Sequence, residues 1–203
     1  MKARNNNLVD DRSPETLARG AREGSPGCFD ALVELLGPRL LKYLCRRVGD
    51  LHTAEDLAQE TFLKAYRNLN RYDPSRSFAP WLFTIATRLA ASQARSHRLP
   101  VTLNETTPLD STQTDPAEIF ARAQQHENLW DQATRNLSED QFSALWLRYA
   151  EEMSVAQIAA VMGKTRTGVK VLLYRARQRL ICLTFPTGVR GVAAAESVGK
   201  FLV

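Results

Sequence analysis

Cysteine and histidine are scarce in this chain of 203 residues, with three of each. Cys28, Cys45 and Cys182 are too few and too scattered for a disulfide framework or a zinc site, and suit a reduced, cytoplasmic compartment. His52, His97 and His126 are equally dispersed. No Ser/His/Asp grouping and no phosphate-cradling glycine loop accompanies them, so nothing marks an enzyme, a cofactor, a metal ion or a small-molecule substrate. Apolar runs are short. None approaches the roughly 18 residues of a membrane span. The start, Met1-Lys2-Ala3-Arg4-Asn5, has no apolar stretch behind its positive charges, so neither a secretory signal nor membrane insertion is expected. Alternating strand patterns are missing as well.

What is present is an ordinary globular balance, 44% hydrophobic and 24% charged. The net charge of +5 is distributed unevenly. Residues 1–100 carry 16 basic and 11 acidic side chains, residues 101–140 carry 2 and 8, and residues 141–203 carry 9 and 3. Two basic blocks around an acidic middle suggest two nucleic-acid-facing modules joined by a segment of opposite sign. Between Pro74 and Pro100 stand Arg76, Arg88, Arg95 and Arg98 without an acid. Between Gly163 and Leu180 stand Lys164, Arg166, Lys170, Arg175, Arg177 and Arg179, again without one.

Apolar spacing of three and four residues predicts an all-α fold. Phe29, Leu32, Val33, Leu36, Leu40, Leu41 and Leu44 trace one or two helices, interrupted near Gly37-Pro38, where Pro38 suits a first turn. Thr53 is the expected cap of a helix through Leu57, Thr61, Phe62 and Ala65, and Asp73-Pro74-Ser75 ends that run. Phe78, Trp81, Leu82, Ile85, Ala86 and Leu89 form the inward stripe of the next helix, completing a bundle over 13–99. The Thr-rich, acidic stretch 100–116, bounded by Pro100 and Pro116 with Pro108 inside it, has no period and reads as a flexible linker. Helical pattern resumes at Ala117, and Ser138 caps a helix through Phe142, Leu145, Trp146 and Tyr149. A second domain spans 117–181, and 182–203 is a C-terminal extension for which disorder is the default.

The second basic block has the grammar of a helix-turn-helix. Ser154 precedes a short helix over 155–162, Gly163 supplies the positive φ of a tight turn, and Thr165 caps a helix to about Leu180. Val169, Leu172, Leu173, Ala176 and Leu180 make its inward stripe, and the cations occupy the opposite face. Such a helix presents its N-terminal residues to base edges in the major groove. A solvated basic face on an ordinary helix hairpin is the competing explanation. In the first block, Arg76-Ser77-Phe78-Ala79-Pro80-Trp81-Leu82-Phe83 mixes cations with rings, as unpaired nucleic acid requires. Each ring of Phe78, Trp81 and Phe83 taken singly is better explained as core.

The run Ala54-Glu55-Asp56-Leu57-Ala58-Gln59-Glu60-Thr61-Phe62-Leu63-Lys64-Ala65-Tyr66, followed by Phe78-Ala79-Pro80-Trp81-Leu82-Phe83-Thr84-Ile85-Ala86, resembles region 2 of extracytoplasmic-function (ECF) RNA polymerase sigma factors. Leu147-Arg148-Tyr149, Ser154, Ile158-Ala159, Met162-Gly163, Val169-Lys170 and Arg175-Ala176-Arg177-Gln178-Arg179-Leu180 are similar to region 4 of the same family. The resemblance covers about 26–181, in order, and implies two small helical domains on a variable linker. It implies that Asp56, Gln59 and Glu60 bind the β′ clamp of core RNA polymerase; their i, i+3, i+4 spacing puts them on one helical face.

By the same resemblance, Arg76 and Ser77 lie in or beside the loop that captures a flipped promoter base near position −10. Trp81 belongs to the melting helix, and Arg88, Arg95 and Arg98 hold the DNA backbone. Arg88 and Ser92 depart from the family's usual Asn and Asp, and Leu172 replaces a frequent basic residue. Thr165, Arg166, Thr167 and Lys170 correspond to contacts with the −35 element, Arg166 being the candidate for guanine readout. Arg175 and Arg177 are assigned to phosphates or solvent. Further implied partners are the β flap, promoter DNA and an anti-sigma factor. Two other functions fit parts of the pattern: a stand-alone helix-turn-helix regulator and a sigma-like interaction decoy.

Overall fold

The computed structural model describes residues 13–96 and 129–184, and every regular element among them is helical. The expected linker at 100–116, the helix onset at Ala117 and nearly all of the C-terminal extension lie outside the described residues. In the first lobe, α1 (Pro14–Arg22) starts on Ser13, whose Oγ accepts from Thr16 N at 3.2 Å, with Pro14 at the first helical position. Next comes α2 (Cys28–Val48), closed by Gly49 in the left-handed region with φ +77°. It is followed by α3 (Leu51–Arg67), a single 3-10 turn over Leu69–Arg71, and α4 (Phe78–Ser96). In the second lobe, residues 129–136 form α5, followed by α6 (Glu139–Tyr149), α7 (Val155–Met162) and α8 (Arg166–Thr184).

Three local expectations are corrected. The α2 helix is continuous for 21 residues and passes through Gly37-Pro38 instead of breaking there. An internal proline costs about 3 kcal/mol, but Leu32, Leu36, Leu40, Tyr43 and Leu44 keep a single buried stripe on both sides of it. Fully burying each such side chain is worth about 1.5–3 kcal/mol, so packing outweighs the lost bond. The α3 helix is capped by Asp50, not Thr53: Asp50 Oδ2 accepts from Thr53 N at 2.8 Å, and those bonds hold its carboxyl below the usual range. Asp and Thr compete for the same role, and the carboxylate is also favoured by the helix dipole. Finally, α8 runs past Leu180 to Thr184, because Ile181 is still buried.

The two lobes pack on each other, and one apolar core runs through both. Tyr43 of α2 sits at the junction, with its ring 5.4 Å from Phe83 of α4 and 6.4 Å from Phe142 of α6, parallel to the latter. Its hydroxyl donates to Ser143 Oγ at 3.1 Å and lies 3.3 Å from Thr87 Oγ1 of α4. Arg47 Nη1 donates both to that phenol, at 2.7 Å, and to Ser143 Oγ, at 2.6 Å. Two ion pairs flank the cluster: Arg39 with Glu151 and Arg46 with Asp131, each at 2.7 Å. No described helix is long and apolar enough to cross a membrane. Cys28 and Cys45 are half-buried thiols and Cys182 is exposed.

Candidate nucleic-acid interface

The described residues singled out from the sequence fall on, or immediately before, three helices: α3, α4 and α8. On α3, Leu57, Thr61, Phe62 and Ala65 face the core, which leaves Asp56, Gln59 and Glu60 together on the exposed side. Glu60 pairs with Lys64 one turn on, at 2.8 Å. Gln59 also borders an apolar groove of about 840 Å³ between α2 and α3, walled by Phe29, Val33, Phe62 and Tyr66. The resulting surface is acidic with an apolar seam.

The start of α4 is built by three separate segments. Glu15 of α1 reaches across and accepts from Phe78 N at 3.0 Å, satisfying an amide that the helix leaves open. Asp73 Oδ1 accepts from Ser75 N and Ser75 Oγ at 3.0 and 2.7 Å, which folds the preceding loop and holds the Asp73 carboxyl below the usual range. Tyr72 is buried and its hydroxyl donates to the Arg76 carbonyl, so burial pushes its phenol up to about 12. The backbone of Arg76 is therefore pinned, while its side chain, 83% exposed, lies at the surface beside the Asp73 carboxylate, Nε to Oδ2 3.3 Å. Ser77 beside it is also exposed.

Tyr72, Phe78 and Trp81 form an aromatic cluster with ring centres 5.1–5.4 Å apart. Phe78 and Phe83 are fully buried and act as core, so of the three rings read with the arginines only Trp81 is partly open to a base. Trp81, Arg88 and Arg95 follow one another at seven-residue steps, hence in one row along α4, and both arginines are exposed. Arg98 lies outside the described residues.

In the second lobe, Ser154 and Gln157 form a reciprocal capping box at the start of α7. Gly163 turns the chain with φ +62°, and Lys164 N returns to Ala159 O at 2.9 Å. Thr165 Oγ1 accepts from Gly168 N at 3.1 Å, so the Thr165 hydroxyl is engaged as the cap of α8. Arg166, Thr167, Lys170 and Arg175 are exposed. Arg177 is half-buried and donates to Tyr149 Oη at 3.3 Å, which ties α8 to α6. Within this segment the ion pairing seen among the described residues is Lys164 with Asp140, at 2.9 Å.

Sequence reasoning missed Glu15 as the partner of Phe78, and missed the Tyr43–Arg47–Ser143 cluster. Both bridge 60 to 100 residues, and no local spacing signals such a pairing.

Two helical lobes, the second a capped helix-turn-helix whose last helix exposes Arg166, Lys170 and Arg175, define a DNA-binding transcription factor. Residues 32–99 match the family Sigma-70 region 2, and residues 127–180 match Sigma-70, region 4. The ECF RNA polymerase sigma factor BldN of Streptomyces coelicolor is 35% identical over 167 residues, covering 81% of this chain and 63% of BldN, less than two thirds of that relative. The RNA polymerase sigma factor CarQ of Myxococcus xanthus is 31% identical over 159 residues, covering 78% of this chain and 90% of CarQ. The sigma factor RpoE of Bartonella quintana, solved with the anti-sigma factor NepR, shares the fold with a TM-score of 0.61 at 24% identity, over 80% of this chain and 99% of that one. The chain belongs to the ECF RNA polymerase sigma factors.

Proposed function

We propose that this sigma factor docks on the β′ clamp of core RNA polymerase through Asp56, Gln59 and Glu60. In the proposed complex the Arg76–Ser77 loop, Trp81, Arg88, Arg95 and Arg98 engage and open the −10 element. The outer face of α8 then holds the −35 element through Arg166, Thr167 and Lys170, with Arg175 at the phosphates. Thr165 and Arg177 serve mainly to position α8. The observation that carries this assignment is the separation of charge: an exposed acidic group on α3, and exposed cations on α4 and α8 with no acid among them. Opening a base step costs a few kcal/mol, so the melting surface is best placed on a protein anchored elsewhere, which the α3 face supplies. The remaining proposed contacts are the β flap and an inhibitory polypeptide of the anti-sigma class, the kind of partner that holds the Bartonella quintana factor. The protein acts by binding, in a compartment reached by the polymerase.

The test is charge reversal on α3. Asp56→Lys with Glu60→Lys is expected to abolish capture of core polymerase and promoter-dependent transcript, while duplex binding by α8 is retained. Retained transcription would refute the α3 assignment. A stand-alone regulator would bind DNA and ignore these changes; a decoy would bind polymerase and give no transcript.

A further inference from the structure

The exposed face of α8 is not uniformly cationic. Val171 is 41% and Tyr174 59% exposed, in the middle of the acid-free run. The buried stripe of α8 is Val169, Leu173, Ala176 and Leu180. At about 100° per residue, the positions diametrically opposite are Thr167, Val171, Tyr174 and Gln178. Arg166 and Lys170 lie along one border of that row, and Arg175 and Arg179 along the other. The face is thus a largely uncharged strip between two rails of cations.

This cross-section has one natural counterpart. A helix lying in the major groove meets base edges along its centre and a phosphate strand on each side. Cations on both borders suit the two strands, and the uncharged strip suits the floor between them. The apolar group that the groove floor offers is the thymine 5-methyl; all other edge groups are donors or acceptors. From Thr167 to Tyr174 the helix rises about 10 Å, the span of about three base pairs.

Resting on the proposed role of α8 at the −35 element, we infer that Val171 and Tyr174 are specificity-determining residues that read thymine methyl groups there. Val171 packs its isopropyl group on one methyl. The Tyr174 ring covers a second, and its hydroxyl remains free to reach a polar base edge or a phosphate.

The test uses holoenzyme reconstituted from core polymerase and this protein. Duplexes selected from a random pool supply the upstream element, and each thymine in it is then replaced by deoxyuridine, which removes only the methyl. Loss of one buried methyl corresponds to about fourfold weaker binding. Such a loss is expected at one or two neighbouring positions with the wild-type protein. Val171→Ala is expected to bind thymine duplex about as weakly as the wild type binds the uridine one, and to become insensitive to uridine at one of those positions. Tyr174→Ala should do the same at the other, whereas Tyr174→Phe keeps the sensitivity. Both positions are exposed, and circular dichroism verifies the helix. Selected duplexes that bind without uridine sensitivity would overturn this inference and leave the α8 assignment standing. Failure to select any upstream element would overturn that assignment instead. Variants that alter self-association and not methyl sensitivity would show the strip to be a contact between copies, and would also overturn the inference.

Discussion

The phenol of Tyr43 and the hydroxyl of Ser143, 100 residues apart in the chain, meet at 3.1 Å where the two lobes join. Arg47 bonds to both oxygens and Thr87 lies beside the phenol, so a helix from each lobe converges on one buried polar cluster. Buried groups of this kind stabilise little when paired and cost much when one partner is removed.

Tyr43→Phe deletes one hydroxyl while Arg47 still reaches Ser143, so it is expected to cost about 1 kcal/mol in urea unfolding. Tyr43→Ala also leaves a cavity between Phe83, Phe142 and Trp146, and is expected to cost about 3–5 kcal/mol. Small-angle scattering should show the alanine variant more expanded than the phenylalanine one. Equal radii for the two would contradict a lobe contact centred on this ring.

The Arg39–Glu151 pair predicts an unusual response to acid. Burial pushes the Glu151 carboxyl up and Arg39 pulls it only part of the way back. A carboxyl with a raised value in the packed state binds its proton more tightly there than when released. Its contribution to packing is therefore complete below its ordinary value of 4.5 and is lost as pH rises through the raised one. Lowering pH into that window should tighten the lobe contact through this group, opposite to the usual carboxylate effect. Glu151→Gln should flatten that part of the profile, measured as unfolding free energy against pH; an unchanged profile would exclude Glu151 as its source.

Glu15 serves α4 from another helix, which separates positioning from sequence context. Glu15→Ala removes the acceptor of Phe78 N and is expected to cost about 1 kcal/mol, as the loss of a cap does. Glu15→Gln keeps an oxygen acceptor and should recover most of it. Hydrogen exchange at the first turn of α4 reports the difference, and equal protection in both variants would count against the bond.

Arg88 and Arg95 should each behave as a phosphate contact. Replacing either by alanine is expected to reduce the slope of log affinity against log salt for single-stranded −10 DNA by about 0.7. A slope that does not change would place that arginine away from the strand. Because Trp81 heads the same row, Trp81→Ala should lower affinity with the salt slope preserved, stacking being insensitive to salt.

Much of this architecture is legible in the sequence because helices advertise themselves locally. Ser138, Ser154, Gly163 and Thr165 are read from position alone, since a cap or a left-handed turn depends on residues within four places. The acidic group on α3 and the cations of α8 are equally visible, because exposure follows from which positions the apolar stripe leaves over. What stays hidden is whatever depends on distant partners. Pro38 remains helical because packing on both sides outweighs its local cost. Phe83, which the inward stripe read from the sequence leaves out, is buried against Tyr43 of α2, and nothing in its local run says so. Arg177 looks like its cationic neighbours and yet points to Tyr149. Glu15 and Ser143 carry no mark of their partners at all.

The junction around Tyr43 also sets a ruler against which the promoter can be measured. Two elements centred near −35 and −10 stand about 25 base pairs apart, about 85 Å along straight duplex. A closely packed chain of this size is only about 45 Å across. With its lobes joined, the protein is too narrow to straddle both elements. The segment 97–128, drawn out fully, reaches about 105 Å, enough to bridge the gap. On the proposed assignment of both elements, breaking the Tyr43–Arg47–Ser143 junction precedes their simultaneous capture, and the strength of that junction sets how firmly polymerase must grip before initiation begins.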